Sequence, residues 1–216
     1  MIELRDETTL PEILAAIGRE RLDRPVEEIR AALETPDYLF GETMKNRLEA
    51  FAPDGAPLDR KVWARMSLMP RHIYQYVTED REVDLIYRDS FGTQKLSPAQ
   101  HRAYDLVERD AVVGKVDLFR NIGFVFTNPE PSHYLAHTEF EGRRWWHYQA
   151  DSIRSWWKSA PYTVTTDAET GELAALSMEG PGWFLPRRRL KLFQPLDDTL
   201  IAMLMAAHHG LVFRSS

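Results

Sequence analysis

The chain has 216 residues, 44% hydrophobic and 11% aromatic, with a formal charge of −6 from 27 Lys and Arg against 33 Asp and Glu. That apolar supply suits one core plus an appendage and argues against disorder. The negative balance disfavours nucleic acid unless the cations cluster, and the absence of cysteine excludes disulfides, thiolate metal sites and a cysteine nucleophile while permitting a reducing compartment.

The opening residues Met1-Ile2-Glu3-Leu4-Arg5-Asp6-Glu7 carry acids where an export signal has a basic start and an apolar stretch. The longest apolar run, residues 200–207, falls far short of the roughly 20 residues of a membrane-spanning helix. A cytoplasmic protein with no transmembrane segment is expected.

Thr9-Leu10-Pro11-Glu12 has the form of a capping box, with Leu10, Ile13, Leu14 and Ile17 following at helical spacing. A second helix opens at Pro25, carries Val26, Ile29 and Leu33 on one stripe, and stops at Thr35-Pro36-Asp37. Met44, Leu48 and Phe51 predict a third short helix running into Ala52-Pro53-Asp54-Gly55-Ala56-Pro57, the clearest linker signal in the chain. Residues 1–57 are therefore expected to form a helical appendage and 58–216 a β-rich domain. The first 50 residues hold 7 basic and 12 acidic side chains, a net of −5, so two helices there would repel phosphate rather than read DNA.

From about residue 70 the period shortens to alternation. Residues 73–77 and 83–87 flank Thr78-Glu79-Asp80-Arg81 as a hairpin, and Ser97-Pro98-Ala99-Gln100 leads into a strand. Residues 104–107 and 112–119 flank Glu108-Arg109-Asp110, and 122–126 form a strand broken by Asn128-Pro129-Glu130-Pro131. Further strands are expected at 134–140, 145–148 and 153–158. Tyr162-Thr163-Val164-Thr165-Thr166 is β-branched and alternating, Asp167-Ala168-Glu169-Thr170-Gly171 is a turn, and 172–178 returns. After Gly180-Pro181-Gly182 come 183–185 and 187–193.

The closing run from Thr199 to Ala207 has no polar face, so as a helix it has to be buried on every side. Asp197 and Asp198 suit its positive end, His208 and His209 its negative end, and Gly210 a left-handed stop. Such a helix needs a sheet wrapped round it. The expected fold class is α+β: an antiparallel β-barrel with a buried C-terminal hydrophobic helix and an N-terminal helical appendage.

The order of these last elements, from the Asp167–Gly171 turn through Met178 and Phe193 to the Leu196-Asp197-Asp198 cap and the apolar helix, is similar to the tubby-like β-barrel of phospholipid scramblases and plant LURP-one-related proteins. The resemblance spans roughly residues 70–213 and is most specific over 162–213. It implies a closed barrel threaded by its terminal helix, and a role in binding lipid headgroups or partners. Residues 1–57 have no counterpart in the minimal barrel, and fold alone does not set function.

Two basic stretches stand out. On a strand, Arg187, Arg189 and Lys191 share a face and suit a bidentate grip on phosphate or carboxylate, although such charges also guard sheet edges. Arg143-Arg144-Trp145-Trp146 and Trp156-Trp157-Lys158 interleave cations with four of the six tryptophans. Alternation sends one Trp of each pair inward, which leaves Arg143, Arg144, Trp146 and Trp157 as binding candidates. His137-Thr138-Glu139 has the H-x-E spacing of a 2-His-1-carboxylate iron site, with His208 or His209 as third ligand. His133 and His137 meet only on a helix, not on the strand expected here. No P-loop, G-x-S-x-G or dinucleotide fingerprint occurs and no cofactor is implied. The leading expectation is a non-catalytic binding protein engaging an anionic ligand, lipid headgroup or protein partner. The alternative is a non-haem iron oxygenase using His137, Glu139 and His208.

Overall fold

A computed structural model of the chain describes residues 26–43, 47–66, 72–88, 101–120, 134–150, 162–179 and 188–213. Helix α1 (Val26–Glu34) leads into twelve strands: β1 (Tyr38–Thr43), β2 (Arg47–Phe51), β3 (Val62–Met66), β4 (His72–Thr78), β5 (Glu82–Tyr87), β6 (His101–Glu108), β7 (Ala111–Arg120), β8 (Tyr134–Phe140), β9 (Arg143–Ala150), β10 (Tyr162–Asp167), β11 (Leu173–Glu179) and β12 (Arg188–Leu192). Helix α2 (Asp198–Phe213) follows. Every strand pairs antiparallel with its sequence neighbours, and β1 closes on β12 with Tyr38 opposite Leu190 and Phe40 opposite Arg188. An antiparallel meander can close on itself only with an even number of strands, and closure leaves no unpaired edge.

Helix α2 occupies the lumen. It packs against β3 and β4 and also against β9, which lies six places from β3 in a ring of twelve. Leu200, Ile201, Met203, Leu204 and Met205 are buried in one cluster with Phe40, Leu48, Val62, Tyr76, Leu85, Leu106, Trp145 and Leu190 from the wall. Each such Leu, Ile or Met stabilises the fold by about 1.5–3 kcal/mol. The absence of a polar face, which on a surface helix would be a fault, is what enclosure requires. Asp197 caps the helix, its Oδ1 accepting from the Leu200 N–H at 2.9 Å.

The sequence expectations need correcting at two points. Helix α2 does not stop at Gly210 but continues to Phe213, so His208 and His209 lie within it. A glycine costs an interior turn only about 1 kcal/mol, too little to end a helix whose preceding turns are buried. Residues 47–51, expected to be helical, are strand β2, and β1 and β2 both belong to the barrel wall rather than to a helical appendage. Met44 and Leu48 are four apart, a spacing that fits one face of a helix and one face of a strand equally well. The burial of Leu48 and Ala50 between half-buried Arg47, Glu49 and Phe51 is the two-residue period.

The end of the barrel at which α2 enters carries tight connections. Arg109 and Asp110 (φ 48° and 67°) turn β6 into β7, and Glu141 and Gly142 (φ 51° and 77°) turn β8 into β9, the paired left-handed residues of the hairpin turns that match strand twist. Residues 44–46, 67–71, 89–100, 121–133, 151–161 and 180–187 lie outside the described residues. So do the expected helix near 9–17 and the expected strands at 122–126, 153–158 and 183–185.

Candidate functional site

Alternation along β8 to β12 sends one set of residues into the lumen. Ala136 and Thr138 face inward from β8, Trp145 and His147 from β9, Thr163 and Thr165 from β10, Ser177 from β11 and Arg188 from β12. Half a turn of polar side chains thus meets the C-terminal half of α2, where His208 projects. The His208 ring spans two strands, with Nε2 2.7 Å from Thr165 Oγ1 and Nδ1 2.7 Å from Ser177 Oγ. His147 bridges on, with Nδ1 2.9 Å from Thr165 Oγ1 and Nε2 2.9 Å from Thr138 Oγ1. Arg188, only 4% exposed, donates from Nη2 to Ser177 Oγ at 3.2 Å and to Thr163 Oγ1 at 3.5 Å.

Burial disfavours charged imidazole. It pushes His147 down to about 3 and His208 well below the usual histidine range, so both rings are neutral near pH 7. Beside them, between α2 and strands β4 to β8, lies a cavity of about 90 Å³ whose lining includes Tyr74, Tyr76, Tyr104, Leu118, Thr138 and Met203.

The residues singled out from the sequence fall elsewhere. His137 and Glu139 alternate with the inward Ala136 and Thr138, so they lie on the outer face of the wall, whereas His208 is inside. The barrel wall therefore separates the three supposed iron ligands. His137 packs instead on Trp146, ring centres 4.6 Å apart. The histidine that does approach His208 is His147, at 6.1 Å between ring centres. Among the described residues no three His, Cys, Asp or Glu side chains converge as a metal site.

Arg189 and Lys191 share the outer face of β12 and fasten the preceding segment to it. Arg189 donates to the Leu33 carbonyl at 3.2 Å, and Lys191 pairs with Asp37 at 3.1 Å. Trp146 is 3% exposed, and Trp157 and Arg187 lie outside the described residues. Arg144 pairs with Glu169 at 3.1 Å. Arg143 is held more loosely: its side chain is 46% exposed and 3.9 Å from Asp167, with Gln194 at 3.2 Å and the Trp145 ring 5.0 Å beneath its guanidinium.

No family model matches the chain, and neither a curated protein nor a solved structure matches it. Among the described residues no helix is long and apolar enough to cross a membrane.

Proposed function

We propose that the chain is a non-catalytic, cytoplasmic binding protein on a tubby-like barrel, and that it engages an anionic group at the rim where the β8–β9 and β10–β11 hairpins meet. The observation that carries this reading is the condition of the lumen. The barrel's own helix runs through it, and the inward imidazoles, almost wholly buried, engage hydroxyls through both ring nitrogens. A general base needs a substrate proton within reach, and these rings already face partners of their own.

Recognition then falls to the surface. Most cations at the helix-entry rim are matched to acids: Arg60 to Asp198, Lys61 to Glu79, Arg81 to Glu108 and Glu141, and Arg144 to Glu169. Arg143 combines exposure, a long ion pair and an aromatic support, which suits it to exchange Asp167 for an incoming phosphate or carboxylate, with Arg144 beside it. A lipid headgroup and an acidic protein segment both present that chemistry.

Sedimentation with phosphatidylcholine vesicles, with and without phosphatidylserine, tests the lipid source, and fluorescence anisotropy with a labelled polyglutamate peptide tests the protein source. Binding to either is expected to fall about ten-fold or more in Arg143→Glu/Arg144→Glu, since two charge-assisted contacts become repulsive. Arg189→Gln and Lys191→Gln should leave it unchanged. Absence of binding to both probes, or binding indifferent to the double substitution, overturns the rim site.

A further inference from the structure

The cavity beside α2 is separate from the rim, and its polar edge is the end of the interior hydrogen-bond chain. Donor counting gives that chain a direction. Arginine can only donate, so Ser177 Oγ accepts from Arg188. Ser177 is fully buried, and His208 Nδ1 at 2.7 Å is the one acceptor for its hydroxyl proton among the described residues. A neutral His208 then carries its proton on Nε2 and donates to Thr165 Oγ1. Thr165 donates to His147 Nδ1, and His147 donates from Nε2 to Thr138 Oγ1. The reverse order would strand the Ser177 proton and point the dipoles against the guanidinium, whereas the forward order aligns them head to tail away from a fixed cation.

What remains is the proton of Thr138. Its oxygen accepts from His147, no side chain among the described residues accepts from it, and the residue lines the cavity. Leu85, Leu118, Met203 and the rings of Tyr74, Tyr76 and Tyr104 make the rest of the lining mostly apolar, with the three phenol hydroxyls as its other side-chain polar groups. A charged occupant would lose its hydration with no counter-ion to replace it.

We propose that this cavity binds a small uncharged molecule, apolar except for one oxygen acceptor, which takes the hydrogen bond that Thr138 has left to give. An apolar cavity of about 150 Å³ accommodates benzene; at about 90 Å³ the ligand class here is compact, on the scale of a short ketone or cyclic ether. Failure of the rim site would leave this one untouched, because the two share no residue.

The test uses the full chain with [13C-methyl]methionine, in which the Met203 signal is assigned by its loss in Met203→Leu. The probes are 2-butanone and 2-methyl-1-butene, which match in shape but differ in the acceptor oxygen. Both are expected to shift the Met203 methyl saturably, the ketone binding about five-fold more tightly, the worth of one neutral hydrogen bond. Thr138→Val should abolish that preference while sparing the alkene, Thr138→Ser should keep it, and Ala136→Leu, which fills the space, should eliminate both responses. The isosteric comparison in the unaltered protein stands even if a variant fails to fold. No saturable shift from either probe overturns the site, and equal affinities for the two probes overturn the role of Thr138.

Discussion

The rim and the lumen hold polar side chains by opposite means. At the rim, charge answers charge in partial contact with solvent: Arg81 donates to both oxygens of Glu108 and to Glu141, and Arg60 holds Asp198 and the Tyr38 hydroxyl. Pairs of that kind contribute about 0–1 kcal/mol each, because water competes for both partners. In the lumen the groups are neutral except for Arg188, and each hydrogen bond replaces a water that cannot return. The rim should therefore tolerate substitution and the lumen should not, although the rim carries far more formal charge.

The most damaging change should be His208→Ala, which removes a buried ring and leaves the Thr165 and Ser177 hydroxyls without their shared partner. A loss of about 3–5 kcal/mol is expected from cavity and unmet hydrogen bonds together, read as a lower urea midpoint. Next comes acidification. His147 and His209 have folded-state values lowered to about 3 and about 4 from 6.5, by burial first. The unfolded chain thus binds protons that the folded one refuses. The stability is complete above pH 6.5 and is lost as pH falls from there toward 4 and 3. Each such ring costs about 1.4 kcal/mol per pH unit inside its window. Melting temperature measured from pH 7 to 4 should fall steadily, and a flat profile would show these imidazoles to be solvated.

Gly114→Ala should cost about 1–3 kcal/mol, since an added Cβ on β7 would meet the Glu139 carbonyl oxygen and come within 2.9 Å of Leu106 Cδ1. Smallest of the set is Arg81→Ala, at about 1 kcal/mol and shrinking with added salt. A rim substitution that outweighed His208→Ala in the same urea titration would reverse the contrast between the two regions.

The same contrast explains what could be read from the residues. Helix α2 was legible because a run with no polar side has one solution in water, which is enclosure. The β10–β11 hairpin was legible from its β-branched alternation around Asp167–Gly171, and β4, β5 and β7 to β9 likewise. The site inside was not. Thr163, Thr165, Ser177 and Arg188 occupy alternate strand positions, a pattern that ordinarily marks the wet face of a sheet, yet here they point inward while Tyr162, Val164 and Leu176 on the other face are also buried. Nothing in the residues around His147 marked it. The closure of the barrel and the seating of α2 inside it, which no local pattern encodes, set it 6.1 Å from His208, the two rings sharing Thr165 on the neighbouring strand. Strand β2 was missed for a related reason: its apolar spacing suits either period.

That closure also has a temporal side. Lys191 and Asp37, which meet at the seam, stand 154 positions apart, and α2 is translated after all twelve staves. A nascent chain must therefore keep a curved sheet with a greasy inner surface from sticking to its neighbours until the plug is delivered, and the high sequence separation of the seam predicts slow, late zipping. A ribosome stalled just before Asp198 should display a collapsed, protease-sensitive wall, and supplying the missing helix in trans as a peptide should restore protection.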